Sequence, residues 1–277
     1  MKFWKMHGLG NDYIVIDNRD TLINSAVATG LARRLCERRL SVGADGLLLV
    51  ENSAVADVKM RIFNADGSEA EMCGNGIRCF AKYCYENNIA RKKELAVETL
   101  AGIKQTWLTV KDRVVTSVRV EMGAPTLERS RISMVGTGKC VNEKLQVDRE
   151  QYPVTCISVG NPHCVIFVDG VADFPVQLVG PKIENHKLFP KRTNVEFAQV
   201  LNRNELRLRV WERGCGETLA CGTGACATVV AGNILGKVGN KVAVHLLGGD
   251  LEVEYADRLF LSGAAEKVFE GRLFEAV

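Results

Sequence analysis

The stretch Cys73-Gly74-Asn75-Gly76 recurs later in the chain as Cys221-Gly222-Thr223-Gly224, and an apolar run follows each copy. In both copies a thiol stands directly before glycines that open a predicted helix. Unpaired backbone N–H groups and the positive end of the helix dipole then lie beside the sulfur. Such surroundings lower the pKa of a thiol and also form an anion site that can hold a carboxylate. The sequence therefore predicts two matched, reactive thiols.

The two halves of the chain can be overlaid around these copies. A shift of 148 positions matches Arg61-Ile62-Phe63 with Arg209-Val210-Trp211, Glu69 with Glu217, and Cys73 with Cys221, and a shift of 150 matches Gly10-Asn11 with Gly160-Asn161. Because order and spacing are kept together, the pattern predicts an internal duplication. We expect a pseudo-twofold pair of domains whose equivalent loops face one cleft. One domain comprises 1–118 with 263–277 and carries Cys73, and the other comprises 119–262 and carries Cys221.

Hydrophobic periodicity predicts helices over residues 24–39, 74–87 and 222–235, with strands between and after them. Asn24 is expected to cap the first of these helices. The segment 126–151 is polar and is predicted to be irregular, with the crossing between the domains just before it.

Composition indicates an ordinary globular protein. Hydrophobic residues make up 47% and charged residues 25% of 277 residues, the usual balance for a soluble domain. The net charge is only +3, and scattered basic residues give no nucleic-acid footprint. No apolar run approaches the ~20 residues that span a bilayer, and Met1-Lys2-Phe3-Trp4-Lys5 lacks the apolar core of a signal peptide. We expect a cytoplasmic protein that binds neither nucleic acid nor membrane.

Two thiols on opposite sides of one ligand can invert a stereocentre. One thiolate removes a proton from a carbon while the other group, as a thiol, delivers a proton to the opposite face. The two thiols then titrate as a coupled pair. Helix N-termini at the carboxylate of the substrate stabilise the charge that develops. No lysine motif for a pyridoxal cofactor stands out, so we expect a route without a cofactor.

The polar residues near the two copies suit a small amino-acid substrate. Glu212 and Arg213 follow a strand and offer one charge of each sign, and an arginine can bind a carboxylate through two parallel hydrogen bonds. His163 follows a turn, where we expect it to tune a nearby thiol. Neutral amides that can bind ammonium or carboxylate groups stand at predicted strand ends, namely Asn11, Asn64, Asn161 and Asn194.

Several motifs, spread over nearly the full length, occur in an order typical of one family. They are Met6-His7-Gly8-Leu9-Gly10-Asn11-Asp12, Phe63-Asn64-Ala65-Asp66-Gly67-Ser68, Cys73-Gly74-Asn75-Gly76-Ile77-Arg78-Cys79, Gly160-Asn161-Pro162-His163 and Glu212-Arg213-Gly214-Cys215-Gly216-Glu217-Thr218, the last running into Cys221-Gly222-Thr223-Gly224. Through these motifs the chain resembles the diaminopimelate epimerases. The resemblance implies an α/β (α+β) fold of two similar domains, each a curved, mainly antiparallel sheet around a central helix, assembled as a homodimer.

The resemblance also implies an activity and a set of site residues. The activity is the cofactor-free interconversion of LL- and meso-2,6-diaminoheptanedioate on the lysine and cell-wall route. Cys73 and Cys221 are then the acid/base pair, and His163 and Glu212 adjust their pKa values. The implied substrate-binding residues are Gly74, Asn75, Gly222 and Thr223, whose backbone N–H groups hold the reacting carboxylate, and Asn11, Asn64, Asn161, Asn194 and Arg213, which hold the rest.

Two positions depart from the family pattern. Gly46 stands where some members carry Gln, so one polar contact is expected to be absent or supplied by another group. Cys215 stands where some carry Ala, which adds a thiol near the reactive one. The remaining cysteines are predicted to be buried small hydrophobes, namely Cys36, Cys79, Cys84, Cys140, Cys156, Cys164 and Cys226.

Two other interpretations stay open at this point. A proline-type racemase resembles this family in its fold and thiol pair and differs in its substrate. A thiol-based redox or metal-binding protein is the alternative from another class. Neither copy has Cys-x-x-Cys spacing or a nearby histidine in sequence, so no metal site is expected.

Overall fold

The structure, a computed structural model, describes residues 1–274. It consists of two compact units: the first unit is Met1–Glu121 with Ser262–Val277, and the second unit is Met122–Leu261. The sequence predicts boundaries at 118/119 and 262/263, and the structure has them at 121/122, inside a strand, and at 261/262. Residues 275–277 of the predicted first domain lie outside the described residues.

The described residues form runs of strands that are separated by single helices. Up to residue 123 they are β1 (Lys2–Gly8), β2 (Asn11–Asp17), α1 (Ser25–Cys36), β3 (Gly46–Glu51), β4 (Val58–Asn64), β5 (Glu69–Ala70), α2 (Gly74–Glu86), β6 (Glu94–Thr99), β7 (Gly102–Lys111) and β8 (Val114–Gly123). The later elements are α3 (Arg129–Ile132), β9 (Glu143–Val147), β10 (Glu150–Ser158), β11 (Pro162–Phe167), α4 (Val176–Glu184), β12 (Asn194–Asn202), β13 (Glu205–Glu212), β14 (Gly216–Thr218), α5 (Gly222–Ile234), β15 (Lys241–Leu246), β16 (Gly249–Tyr255), β17 (Leu259–Gly263) and β18 (Glu266–Arg272). Among the described residues, no helix combines the length and the apolar character that a bilayer crossing requires.

The two units pair their strands in the same order. In the first unit β2 runs parallel to β3, β3 antiparallel to β4, and β4 pairs with both β5 (antiparallel) and β6 (parallel). In the second unit β11 runs parallel to β12, β12 antiparallel to β13, and β13 pairs with both β14 (antiparallel) and β15 (parallel). Mixed sheets with this repeated order are what an internal duplication predicts.

An ion pair marks the equivalence of the units at the level of side chains. Arg61 Nε lies 2.7 Å from Glu69 Oε1 in the first unit, and Arg209 Nε lies 2.7 Å from Glu217 Oε1 in the second. The helices α2 and α5 are both 13 residues long and start 148 positions apart, like the ion pairs. Residues related by this shift can therefore be compared directly.

Each unit has a central helix packed on its own strands. The helix α2 contacts strands β1 to β4 and β7, and α5 contacts β10, β11, β12 and β16. From Gly74 to Cys84 every residue of α2 is buried, which is typical of a helix enclosed on all sides. Two groups of its buried Arg78 donate within the helix, Nη1 to the Gly74 carbonyl and Nη2 to Asn75 Oδ1, both at 3.0 Å.

The segment 126–151 is more regular than predicted. It contains α3 and β9, and β9 pairs antiparallel with β10. Leu145 and Val147 are buried on one face of β9 while their neighbours are exposed, so the strand follows the period-two pattern of a half-buried sheet. Because the exposed face of β9 is polar, the sequence of this segment resembles that of a loop.

The helix α4 was not predicted at all. It starts after Pro175 and contains Pro181, which lacks a backbone donor and normally interrupts a helix. The apolar side chains of Val176, Val179 and Ile183 are buried at helical spacing. Tertiary burial therefore maintains a helix that the local sequence disfavours. By contrast Asn24 caps α1 as predicted, accepting a hydrogen bond at 3.0 Å.

Candidate active site

Cys73 and Cys221 lie at equivalent positions, each immediately before the central helix of its unit. Each is the N-cap residue and has an extended backbone, with φ −140° and ψ 126° at Cys73 and φ −123° and ψ 111° at Cys221. The helices begin with Gly74-Asn75-Gly76 and Gly222-Thr223-Gly224. The first backbone N–H groups of a helix have no acceptor within the helix and carry partial positive charge. Both helix starts are therefore suited to a carboxylate.

The thiol of Cys73 is turned toward β2 and makes no capping hydrogen bond to its own helix. Tyr13 Oη lies 2.9 Å from Cys73 Sγ, as a donor, and Sγ lies 3.6 Å from Asn11 Oδ1. Burial, together with the neighbouring Cys73, raises the pKa of Tyr13 well above its ordinary value. Tyr13 is therefore a neutral hydroxyl beside the thiol.

Asn11 is the centre of a hydrogen-bond network around Cys73. Its Nδ2 donates to Asp45 Oδ2 at 2.8 Å, which fixes the orientation of the carboxamide. Its Oδ1 accepts from Tyr13 Oη at 2.7 Å and from Asn75 Nδ2 at 3.3 Å. In the first unit the structure thus joins three of the predicted residues, Asn11, Cys73 and Asn75, in one network.

Asn64 lies at the end of β4, where it closes the following turn. Its backbone N–H donates to the Ser68 carbonyl at 2.8 Å, and its Nδ2 donates to Ser68 Oγ at 2.9 Å. Asn64 is opposite Gly46 on β3, and Gly46 is opposite Tyr13 on β2. The sheet register therefore links this predicted residue to the surroundings of Cys73.

The thiol of Cys221 is turned into the start of its own helix. The Gly224 N–H donates to Sγ at 3.4 Å, and Thr223 Oγ1 lies 3.5 Å away. Burial raises the pKa of Cys221 well above its ordinary value, and the carboxylates of Glu212 and Glu196 raise it further, whereas the two hydrogen bonds lower it. The prediction that the helix start gives this thiol a lowered pKa is wrong for Cys221, because burial outweighs the helix start.

A chain of polar contacts leads from Glu196 to Cys221. Glu196 Oε1 lies 2.7 Å from His163 Nδ1, and His163 Nε2 lies 2.8 Å from Asn161 Oδ1. Asn161 Nδ2 donates to Thr223 Oγ1 at 3.2 Å, and Thr223 contacts Cys221. Both ring nitrogens of His163 are therefore engaged, and its link to Cys221 passes through Asn161 and Thr223.

His163 and Glu196 form a fully buried pair. Burial raises the pKa of Glu196, and the neighbouring His163 opposes that rise. The two ring nitrogens of His163 face two oxygens, Glu196 Oε1 and Asn161 Oδ1. Within the described part of the chain, Glu196 Oε2 is buried with no hydrogen-bond partner. The second unit thus holds a titratable pair where the first unit has the hydroxyl of Tyr13.

Glu212, Arg213 and Asn194 lie where β13 ends and β12 begins. Glu212 Oε1 accepts a hydrogen bond from Thr218 Oγ1 at 2.6 Å. The backbone N–H of Arg213 donates to Asn194 Oδ1 at 2.9 Å. Asn194 is opposite His163 in the parallel pairing of β11 and β12. The predicted residues of the second unit therefore come together on neighbouring strand ends.

Sequence reasoning missed two residues of these networks, Tyr13 and Glu196. The shift of 150 positions that matches Asn11 with Asn161 also matches Tyr13 with His163, so the duplication contained a signal for Tyr13. Glu196 stands in the buried, mainly apolar start of β12. A carboxylate among buried apolar residues needs a hydrogen-bonding or charged partner. The position of Glu196 in this apolar stretch was therefore the signal that could have identified it.

The other cysteines are as predicted. All ten lie within the described residues and none is in a disulfide bond. The seven predicted as small hydrophobes are buried, whereas Cys215 is exposed. Among residues 1–274, no group of three or more His, Cys, Asp or Glu side chains is arranged to hold a metal ion.

Comparison with known protein families gives a match over most of the chain. The family model described as diaminopimelate epimerase matches residues 3–128 and 155–268. The diaminopimelate epimerase of Moorella thermoacetica is 55% identical over 275 residues, covering 98% of both chains. That of Pelotomaculum thermopropionicum is 53% identical, also with 98% of both chains covered. That of Methanococcus maripaludis is 44% identical, with 99% of both chains covered.

Solved structures with similar folds are more distant in sequence. A PhzF-family phenazine biosynthesis protein from Bacillus anthracis matches with a TM-score of 0.73 at 17% identity, covering 99% of both chains. A probable proline racemase from Agrobacterium radiobacter matches with a TM-score of 0.70 at 15% identity, covering 98% of this chain and 92% of that one. These similarities show that the predicted two-domain α/β architecture of epimerase type is correct.

Proposed function

Because the chain belongs to the diaminopimelate epimerase family, we propose that it interconverts LL- and meso-2,6-diaminoheptanedioate by proton transfer at one α-carbon. The observation that best supports this proposal is the matched position of Cys73 and Cys221, each the N-cap residue of a central helix in a duplicated unit. A single thiol at a helix start would fit many reactions. Two equivalent thiols fit a reaction that needs one base and one acid.

We propose Cys73 and Cys221 as the two bases, acting on opposite faces of the same carbon. The thiolate takes the α-proton, so the C–H bond breaks, an S–H bond forms, and the electron pair stays on the carbon. The other thiol gives its proton to the opposite face and becomes a thiolate. The two sulfurs have then exchanged protonation states, and their titration is coupled.

The charge that develops on the substrate needs stabilisation. We propose that the backbone N–H groups at the two helix starts, those of Gly74, Asn75, Gly222 and Thr223, hold the reacting carboxylate. Donors fixed before the reaction stabilise the enolate-like charge more than they stabilise the substrate. This is why both helix starts are glycine-rich: a close backbone approach leaves room for the ligand.

The remaining predicted residues bind the rest of the substrate in this proposal. The carboxylate of Glu212 accepts from an ammonium group, and the guanidinium of Arg213 binds a carboxylate. The amides that complete the set are Asn11, Asn64, Asn161 and Asn194. A substrate with two ammonium and two carboxylate groups matches this mixture of neutral amides and one residue of each charge.

We propose different starting roles for the two thiols. The raised pKa of Cys221 favours its neutral form, which suits the group that delivers a proton. Cys73 has a hydroxyl donor at 2.9 Å, which suits the group that begins as a thiolate. We therefore assign Cys221 as the first acid and Cys73 as the first base for one of the two substrate stereoisomers.

The decisive experiment follows deuterium from solvent. Incubation with LL-diaminopimelate in deuterated water should place deuterium at one α-carbon of the product. Replacing either Cys73 or Cys221 with alanine should reduce turnover at least ~1,000-fold, because a two-base reaction loses its acid or its base. Cys215→Ala is the matched control, since it removes an exposed thiol outside the proposed pair and should keep activity.

Three outcomes would contradict this proposal. Deuterium entering proline in place of diaminopimelate would favour a proline-type racemase. Substantial turnover by either alanine variant would exclude the two-thiol mechanism. Loss of activity after dialysis against a metal chelator, with recovery on adding metal, would contradict the proposed cofactor-free route and favour the metal-binding alternative.

We also propose that the protein works in the cytoplasm as a homodimer on the lysine biosynthesis route. These are predictions from family membership. Sedimentation equilibrium of the purified chain tests the assembly state, and a mass near that of one 30.4 kDa chain would contradict the homodimer.

A further inference from the structure

Tyr13 stands between two acceptors that it cannot satisfy at once. Its Oη lies 2.7 Å from Asn11 Oδ1 and 2.9 Å from Cys73 Sγ. A phenol has one proton to donate. The hydroxyl must therefore point at either the amide oxygen or the sulfur. Which acceptor it serves depends on the protonation of Cys73.

The two arrangements correspond to the two states that an acid/base thiol adopts. When Cys73 is a thiol, its sulfur is only a weak acceptor, so the hydroxyl proton is better placed on Asn11 Oδ1 at 2.7 Å. When Cys73 is a thiolate, the sulfur is the strongest acceptor nearby and attracts the hydroxyl proton, since hydrogen bonds to ionised groups are the stronger ones.

On this basis, and resting on the proposed function, we propose that the Tyr13 hydroxyl is a one-proton rotor that turns toward Cys73 Sγ in the thiolate state and toward Asn11 Oδ1 in the thiol state. Tyr13 is a positioning residue, because it acts on the substrate only through Cys73. When Cys73 takes the α-proton, the C–H bond breaks and the S–H bond forms, the electron pair stays on carbon, and the rotor turns back. Tyr13 keeps its own proton throughout.

The surroundings of Tyr13 keep it in this role. The titratable groups that act on it are Cys73, Cys79 and Asp45, and their negative forms and its burial all raise its pKa. Burial also raises the pKa of Cys79 to about 12, so that thiol stays neutral. Tyr13 therefore does not compete with Cys73 for ionisation. The Nδ2 of Asn11 is held by Asp45, which keeps the amide oxygen aimed at Tyr13.

Gly46 makes the position of the Tyr13 ring possible. Tyr13 and Gly46 are directly opposite each other on β2 and β3. A Cβ at position 46 would lie 2.8 Å from the Phe63 carbonyl oxygen and 3.2 Å from the Tyr13 ring. A side chain at position 46 would therefore displace the Phe63 backbone or the Tyr13 ring, so the glycine leaves room for the ring.

The equivalent position in the second unit supports a functional role for a polar ring. His163 stands at the position of Tyr13, and its Nε2 lies 2.8 Å from Asn161 Oδ1. The matched contact in the first unit is Tyr13 Oη to Asn11 Oδ1 at 2.7 Å. Both units therefore place a polar ring atom on the amide oxygen of the equivalent asparagine, Asn11 or Asn161.

The test is Tyr13→Phe, which keeps the ring and removes the rotor. Its kcat should fall about 10- to 100-fold, the range for a lost hydrogen bond to a charged group, while KM changes less than about threefold. Alkylation of Cys73 by iodoacetamide, followed by peptide mass spectrometry, should shift to higher pH. Tyr83→Phe is the matched control, because Tyr83 is equally buried, with 5% exposure for each residue, and packs against Trp4.

Alkylation of Cys73 is measured without substrate. The proposal for Tyr13 can therefore be tested independently of the proposed reaction. An unchanged Cys73 alkylation profile in Tyr13→Phe would overturn the rotor. A shifted profile in a protein that does not act on diaminopimelate would keep the rotor and overturn the proposed function. Tyr13→His restores a ring donor, and its profile should lie nearer the wild type. Equal disturbance by Phe and His would assign Tyr13 to packing alone.

Discussion

Cys73 and Cys221 occupy the same place on equivalent helices, yet their sulfurs face different chemistry. In the first unit the sulfur turns away from its helix toward the Tyr13 hydroxyl. In the second unit it turns into the helix start, where the Gly224 N–H donates to it. The backbone was duplicated, but the side chains that control protonation were not. The difference teaches that two equivalent thiols can be given unequal surroundings without a change of fold.

Each unit has its own Arg–Glu ion pair. Breaking these pairs should have the largest effect on stability, and we expect the loss of stability to differ between the two units. Arg209 Nη1 also lies 2.9 to 3.1 Å from the carbonyl oxygens of Val171, Ala172 and Phe174. Arg209→Met should therefore lower the free energy of unfolding by about 3 to 5 kcal/mol. Arg61 has fewer close additional contacts, with Ser25 Oγ at 3.0 Å and Glu51 Oε1 at 3.5 Å, so Arg61→Met should lower this free energy by only about 1 to 2 kcal/mol. Urea denaturation of both variants gives the two values, and equal losses would show that the additional contacts of Arg209 are unimportant.

Gly76 and Gly224, each three residues after its thiol, have different surroundings in the two units. A Cβ on Gly224 would lie 2.8 Å from Glu196 Oε1 and 3.3 Å from Cys221 Sγ, whereas a Cβ on Gly76 would make only contacts of 3.4 to 3.5 Å. Gly224→Ala should destabilise the protein by about 1 to 3 kcal/mol and slow turnover. Gly76→Ala should be neutral or stabilising by up to about 1 kcal/mol. Thermal unfolding and initial rates measure both, and the reverse order would contradict the described crowding.

The smallest effect concerns the charge that faces Cys221. Glu212 raises the pKa of this thiol, so Glu212→Gln should lower that pKa and increase the thiolate fraction at a given pH. Alkylation of Cys221 should then begin at a lower pH, by less than about one unit. Glu205→Gln, at the other end of β13, is the control and should leave the profile in place. A shift to higher pH in Glu212→Gln would give Glu212 the opposite role.

The parts of the fold that depend on local pattern could be predicted from the sequence. The starts of α2 and α5 follow from Gly-rich stretches before apolar runs, and the cap at Asn24 follows from its hydrogen-bonding side chain. The helix α4 could not be predicted, because its stability comes from burial of Val176 and Ile183 against the rest of the second unit. In α4, tertiary packing outweighs the unfavourable local helix propensity.

In the candidate site, too, local pattern predicts some features and tertiary packing determines others. The predicted residues are found at strand ends and helix starts, where motif and spacing locate them. The direction of the Cys221 pKa could not be predicted, because it depends on how deeply the tertiary structure buries the thiol. The hydrogen bond from Tyr13 to Cys73 joins residues 60 positions apart, and no periodicity within either segment encodes it.

The first unit is discontinuous in the chain, since it needs the segment that follows residue 261. β18 pairs with β1, and Arg78 Nε lies 3.3 Å from the Ala264 carbonyl oxygen. β18 follows the whole second unit in the chain, so the outer edge of β1 can be paired only after the second unit has been synthesised. The half of the molecule that is made first therefore depends on a strand that is made after the other half.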